Sequence, residues 1–435
     1  MKQKLKYLVL LLMIISSARA FGQTYSQLVE FGDKKVADRD YYYALEFYRK
    51  AMDIDSNSVE INWKYAEALR LYKDYPKAEF YYAKVFKKED ARIYPRSIFW
   101  LASMQYQNGK YEQSLDTWKA AKKVYKKDRD SYEYLKASQM MKNALWAKRA
   151  VRDTTEHIVK PLPSPVNSKN TEFAPMIFND RLYFSSLQPD SINYQEEVYD
   201  SEYSIEIYTA DQQDSIFNNV LILEDVTQRG FNTANGSFSP DGKRFYFSRC
   251  NSAYECKIFV GKVDGNKIKD IDSLGDVINE PGYIATMPHC TRVGEYEVLF
   301  FVSNMKFNYG GLDIWYSIIT NGNQYSLPKS LGGDINTLDD EISPFYDTVE
   351  QKLYFSSSWY PGFGGQDIFF AKNYNFTFKD PENAGIPINS TKNDMYYMID
   401  QKKKVSYFAS NREGVQFAKN PTCCNDIFSC SYPKG

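Results

Sequence analysis

Residues 340–372 read DEISPFYDTVEQKLYFSSSWYPGFGGQDIFFAK. Two alternating runs, ISPFYD from Ile342 and KLYFSS from Lys352, flank a short turn. A loop follows, and then the phrase GGQDIFF from Gly364. That phrase returns as GGLDIWY from Gly310, 54 positions earlier, and in looser copies as CCNDIFS from Cys423, YSIEIYT from Tyr203 and YECKIFV from Tyr254. Each copy is preceded by its own pair of runs. The first runs are FAPMIF, GSFSPDG, ATMPHC, ISPFYD and DMYYMID; the second are RLYFSS, RFYFSR, VLFFVS, KLYFSS and VSYFAS. Aromatic and β-branched residues fill these runs, and Asp, Gly and Asn stand at the turns, the pattern of strands joined by tight connections.

Counting a weaker strand after each phrase gives four short strands per unit of about 50–60 residues, which predicts the blades of a β-propeller. Five blades fit the five copies, and six if an irregular insertion forms another. The last unit has its third strand at Asp426–Ser431 with no room for a fourth, while HIVKPLP from His157 precedes the first unit as an orphan strand. An N-terminal strand completing the last blade closes the ring and removes its edges. In the phrase itself, the glycines predict positive φ and a close approach into the strand, and Asp313 and Asp367 predict bonds to nearby backbone N–H groups. GFGGQDIFF also resembles a Gly-rich calcium-binding nonapeptide. Calcium takes six to eight oxygen ligands, each phrase offers one carboxylate, and two copies carry Glu206 and Lys257 instead; no metal and no cofactor are expected.

Ahead of the propeller the period changes. Ala44, Tyr48 and Ala51 stand on one helical face, and the spacing recurs as Ala78, Tyr82, Val85 and as Ser114, Trp118, Ala121, in steps of 34 and 36 residues. Twelve positions before each copy sits a small residue, Gly32, Ala66 or Ala102, which lets paired helices approach. A period near 34 is that of tetratricopeptide repeats. The resemblance covers about residues 25–125, with a further helix from about Ser131 to Val151 as a cap. Domains are therefore expected at 24–152 (helical repeats) and 169–435 (propeller), with 153–168 as a linker that holds the closing strand. Residues 24–152 are expected to fold alone.

NGSFSPDGKRFYFSR, from Asn235, resembles the WD-like repeat of TolB-type propellers, and the unit at 340–372 resembles the form found in envelope proteins of Bacteroidetes. Those proteins often join tetratricopeptide repeats, this propeller and a C-terminal OmpA-like peptidoglycan-binding domain, and some serve type IX secretion or gliding. Here the OmpA-like domain does not follow, so direct peptidoglycan anchoring is not implied. The resemblance implies a periplasmic protein associated with the outer membrane, with protein partners in the envelope.

Composition agrees with export. Lys2, Lys4 and Lys6 precede an apolar run, and Ala18-Arg19-Ala20 supplies a cleavage site, so residues 1–23 read as a signal peptide. The net charge of −1 hides a division: residues 24–152 hold 26 Lys+Arg against 18 Asp+Glu, residues 153–435 hold 24 against 37. The basic excess is spread along helices without a dense tract, which speaks against nucleic acid. There are two histidines, His157 and His289, and no G-x-S-x-G elbow. Asp339-Asp340-Glu341 reads as a solvated loop cluster. No catalytic residue is assigned.

The function expected is a non-enzymatic scaffold; the alternative is a propeller that binds or cleaves an envelope glycan or peptide. Candidate protein-binding residues in the helical groove are Trp63, Arg70, Arg96, Phe99 and Tyr106, with Glu67 beside them; Trp63 and Phe99 fit helix packing equally well. On the propeller, loops joining second to third strands carry Phe307, Tyr309, Trp359, Tyr360 and Phe363, exposed for a partner or else covering blade edges. Cys250 and Cys256 flank one such loop and can form a disulfide or stay as buried thiols. Pairing among Cys290, Cys423, Cys424 and Cys430 is left open, since spacing does not set connectivity.

Overall fold

The computed structural model describes residues 23–189, 203–213, 216–416 and 424–431. The chain divides into two compact units, Met1–Leu101 and Ala102–Gly435. The division falls inside the helical region, ahead of position 152.

The first unit holds helices α1 (Tyr25–Ala37), α2 (Tyr41–Ile54), α3 (Val59–Leu71) and α4 (Tyr75–Glu89), and the start of α5 (Arg96–Gln107). Each of the first four starts at a side chain that accepts from the opening turn: Thr24, in a reciprocal box with Gln27, then Asp40, Ser58 and Asp74. The Ala44, Tyr48, Ala51 face is buried, as is its copy Ala78, Tyr82, Val85. Gly32 has the reason the pattern implies, because a Cβ there would lie 2.2 Å from the Tyr48 ring. Each inner helix ends on a residue in left-handed backbone, Arg39, Lys73 and then Gly109. These steps of 34 and 36 repeat the sequence period in backbone geometry.

The second unit begins with the end of α5, α6 (Tyr111–Val124) and α7 (Tyr132–Ala150), making seven helices among the described residues. The propeller follows. Its first strand, β1 (Ile158–Pro161), stands apart from blade 1, which is β2 (Thr171–Phe178), β3 (Arg181–Pro189), β4 (Tyr203–Gln213) and β5 (Ile216–Ile222). Blade 2 is β6 (Asn232–Phe238), β7 (Arg244–Cys250), β8 (Cys256–Asp264) and β9 (Lys267–Ser273). Blade 3 is β10 (Ala285–Val293), β11 (Tyr296–Ser303) and β12 (Asp313–Thr320), its outer strand split into β13 (Gln324–Tyr325) and β14 (Lys329–Ser330). Blade 4 is β15 (Glu341–Asp347), β16 (Lys352–Ser357), β17 (Asp367–Tyr374) and β18 (Thr377–Asn383). Blade 5 is β19 (Asp394–Asp400), β20 (Val405–Ser410) and β21 (Asp426–Ser431), and β1 adds to it in antiparallel register from Ile158 opposite Ser431 to Pro161 opposite Phe428. The ring is five blades, closed by its N-terminal strand.

The repeated phrase is the anchor of each third strand. Its isoleucine, Ile207, Ile258, Ile314, Ile368 or Ile427, is almost fully buried. In four blades an asparagine from the loop that leads to or from the blade clasps that isoleucine. Asn336 Oδ1 accepts the Ile314 N–H at 2.9 Å while its Nδ2 donates to the Ile314 carbonyl at 3.0 Å. Asn279, Asn389 and Asn167 do the same to Ile258, Ile368 and Ile427. The clasp gives the isoleucine N–H its partner and adds a second donor to a carbonyl that already accepts a backbone N–H, from Leu331, Leu274, Ala384 or Leu162.

The glycines of the phrase work by close approach alone. A Cβ on Gly364 would lie 1.9 Å from the Lys392 carbonyl oxygen and one on Gly310 2.3 Å from that of Thr337. Positive φ, the other expectation, does not occur at Gly310, Gly311, Gly364 or Gly365. The aspartates cap the loop: Asp367 accepts from the Phe363 and Gly364 N–H groups, Asp313 from Tyr309.

Candidate interaction surfaces

In the first unit, the inner helices put their large residues into contacts with one another. Trp63 is half-buried, stacked on Tyr94 at 4.9 Å and edge-on to Tyr82. The Arg70 guanidinium lies 3.9 Å from the Trp100 ring centroid, donates to Tyr82 and pairs with Glu67 at 2.9 Å. Tyr82 in turn donates to Glu67, as Tyr48 one repeat earlier donates to Asp33 at 2.6 Å. Phe99 is buried, and Arg96 is exposed at the start of α5. Trp63, Glu67, Arg70 and Trp100 thus form a pre-packed aromatic and charged strip on half-buried side chains, of which Phe99 is not an accessible part.

In the second unit, α5, α6 and α7 close over one propeller loop. Tyr106, a groove candidate from its spacing, is instead buried and donates to the Gly362 carbonyl, while Tyr111 donates to that of Phe363 at 2.9 Å. Asn143 Nδ2 donates to the carbonyls of Trp359 and Tyr360 at 2.8 and 3.1 Å. Phe363, 2% exposed, packs on Trp146 with ring centroids 4.9 Å apart. Lys136 pairs with Asp339, donates to the Ser358 carbonyl at 2.8 Å and lies over the Trp359 ring. Tyr360 turns its hydroxyl to the carbonyls of Asp334 and Ile335. The expectation that Trp359, Tyr360 and Phe363 are open to a partner is therefore corrected: this loop already holds the chain's own helices.

The Asp339-Asp340-Glu341 cluster is corrected likewise, since only Asp340 is exposed. Burial alone would raise the Asp339 carboxyl, but the Lys136 ammonium and the hydroxyls of Ser358 and Tyr132 hold it below the usual range. Glu341 is pushed up to about 8 by burial, against the bonds it takes from Ser357 and Thr337. Glu341 belongs to a recurring device that sequence reading passed over. Asn336-Thr337-x-x-x-Glu341 places the threonine N–H and hydroxyl on the glutamate, and a serine ending the second strand, Ser357, bonds it too. Asn167-Ser168-x-x-x-Glu172 with Ser186, and Asn389-Ser390-x-x-x-Asp394 with Ser410, repeat it. The spacing was legible as N-[ST]-x-x-x-[DE] in three copies.

The open aromatics lie on neighbouring blades. Phe307 is 82% exposed and Tyr309 49%, both in the loop from β11 to β12. Tyr254, in the corresponding loop of blade 2, is 47% exposed. Phe307 and Tyr254 hold left-handed backbone, φ 70° and 62°, which a bulky residue adopts rarely. The Tyr254 loop is stapled by the Cys250–Cys256 disulfide. Cys424 is also disulfide-bonded, and Cys290 and Cys430 are buried thiols; Cys423 lies outside the described residues, as does the signal segment. No described helix is long and apolar enough to cross a membrane.

No family model and no curated protein matches the chain. Among solved structures, the TPR2B domain of yeast Sti1, in a pHsp70 complex, is similar at 17% identity over 28% of this chain and 95% of that one, TM-score 0.25. TolB from Acinetobacter baumannii is similar at 12% identity over 70% and 71%, TM-score 0.37. A glycoside hydrolase is similar at 9% identity over 63% and 91%, TM-score 0.45. The fold assignment rests on this chain's own strand pairing.

Proposed function

We propose that the chain is a non-enzymatic scaffold of the cell envelope, binding one protein through its helical strip and another through the open propeller loops. The observation that carries this reading is Phe307, an almost fully exposed ring on strained backbone beside exposed Tyr309. Strained, fixed loops that present aromatic rings lower the ordering cost of binding, and aromatic anchors dominate interface energetics. Lys2, Lys4, Lys6 and the cleavage site support export to the periplasm. The resemblance to Bacteroidetes envelope proteins directs the proposal to an outer-membrane assembly, type IX secretion or gliding. A glycan-cleaving propeller would use a facing pair of carboxylates; the buried acids Glu172, Glu341 and Asp394 are instead spent on junction hydroxyls and N–H groups. Crosslinking with mass spectrometry in the native cell tests the reading. It should yield crosslinks from Lys306 to an outer-membrane protein or lipoprotein, lost in Phe307→Ala/Tyr309→Ala. Undiminished capture by that variant, or turnover of an envelope glycan by the pure protein, would sink it.

A further inference from the structure

The loop from β11 to β12 and the loop from β16 to β17 are one structure written twice. Residues 304–313 read NMKFNYGGLD and residues 358–367 read SWYPGFGGQD. The second residue of each, Met305 or Trp359, donates its N–H to the serine that ends the preceding strand, Ser303 at 3.0 Å or Ser357 at 3.1 Å. The sixth, Tyr309 or Phe363, donates its N–H to the aspartate of the phrase at 2.6 or 3.0 Å. The seventh, Gly310 or Gly364, lies against a carbonyl of the next connecting segment, that of Thr337 or Lys392. Position for position, Tyr309 stands where Phe363 stands, and Lys306 and Asn308 stand where Tyr360 and Gly362 do.

On blade 4 these positions hold helices. α7 presents one face to them: Trp146 packs on Phe363, Asn143 donates to the Tyr360 carbonyl, and Lys136 pairs with Asp339 of the segment that leads into the blade. Tyr106 and Tyr111 supply donors to the Gly362 and Phe363 carbonyls. On blade 3 the matching carbonyls, those of Lys306, Asn308 and Tyr309, accept no hydrogen bond among the described residues. The segment leading into blade 3, residues 274–284, carries Asp276 and Glu280 and no base. It is seated against the loop by the Ile284 N–H, which donates to Asn304 Oδ1 at 2.8 Å. Neither acid forms an ion pair among the described residues. An exposed ring, three open carbonyls and two unpaired carboxylates, placed as the blade 4 set is placed, complement the same kind of face: an aromatic ring, N–H or O–H donors, and a cation.

We propose, resting on the scaffold reading above, that the β11–β12 loop of blade 3 docks a helix of a partner protein. That helix carries an aromatic residue for Tyr309 and, about three turns before it, a Lys or Arg for Asp276 and Glu280, as α7 carries Trp146 and Lys136. Anchors spaced along one face are how a helix is recognised in a groove. The chain's own α7 is held on blade 4, so the occupant of blade 3 comes from elsewhere.

The probe is a labelled synthetic peptide of residues 131–151, the α7 sequence, added to the full chain and followed by fluorescence anisotropy. It should bind saturably, one per chain, and more weakly as salt rises. Tyr309→Ala in the chain should weaken it at least about 10-fold, and so should Trp146→Ala in the peptide, which leaves the chain's own fold untouched. Asp276→Asn/Glu280→Gln should weaken it about 2–5-fold and flatten the salt dependence. No binding overturns the proposal. So does binding that Tyr309→Ala leaves intact, since the peptide would then be displacing α7 from blade 4. Crosslinks from Lys306 to an envelope protein that persist when the peptide fails would retire the helix and keep the protein partner; their absence would remove both.

Discussion

Replacing Lys136 by Met should destabilise the second unit in a way that depends on pH. The Lys136 and Asp339 side chains are 11% and 6% exposed, so neither charge is left to water. Removing one member of a buried pair usually costs about 3–5 kcal/mol, because the other is stranded. Asp339 has an escape: it can take up a proton. From an ordinary pKa of about 3.9, that costs roughly 4 kcal/mol at pH 7 and about 1.5 kcal/mol at pH 5. The variant's Asp339 pKa lies above its unfolded value, so the penalty is full above the folded pKa and fades as pH falls through it. Lys136→Met should therefore cost about 3–4 kcal/mol at pH 7 and under about 2 at pH 5. Asp339→Asn strands a lysine instead, which acid does not relieve, so its cost should stay level or grow. In the parent chain Asp339 lies below the usual range; its contribution is present above about pH 3.9 and lost as pH falls further. For a unit of about 330 residues, 3–4 kcal/mol corresponds to a Tm shift of about 4–6 °C. Calorimetric unfolding of the two single variants and the double variant at pH 5 and 7 reads all of this. Costs under about 1 kcal/mol at both pH values, with no coupling in the cycle, would mean the pair behaves as a surface ion pair and the reasoning is wrong.

Asn336→Ala should cost about 1–3 kcal/mol in denaturant unfolding, because the buried Ile314 N–H loses its partner while the Ile314 carbonyl keeps the Leu331 N–H; a cost within about 0.5 kcal/mol of zero would make the clasp decorative. Gly364→Ala should cost at least about 2 kcal/mol, since its Cβ meets a backbone oxygen that cannot swing away, whereas Gly385→Ala, with open space around it but φ of 77°, should cost about 1. Cys250→Ser/Cys256→Ser should lower stability by about 2–3 kcal/mol on loop entropy, read as a midpoint shift against the oxidised parent. A chain beginning at Lys169, which lacks β1, should melt lower and aggregate more than one beginning at Ala102, because β21 becomes an open edge.

What was legible in the sequence is what occurs more than once. The faces around Ala44, Ala78 and Ser114, and the five isoleucines of the third strands, announce themselves by recurrence, and recurrence is a property of the chain read alone. The closing strand was legible for a related reason, since a ring with one unit short of a strand demands it. Single-copy contacts have no such signal. NMKFNYGG and SWYPGFGG look like equivalent loops, yet Phe307 is open and Phe363 is buried, because Trp146 and Tyr111 arrive from helices more than 200 positions earlier. Lys136 and Asp339, 203 positions apart, gave no local hint of pairing either. The asymmetry matters for function. Among the described residues, the loops of blades 2, 3 and 4 are equal candidates until α7 covers the one on blade 4. A binding surface on this propeller is thus defined by subtraction: blade 4 is spent on the chain's own helices, and blades 2 and 3 keep their rings in water on strained backbone.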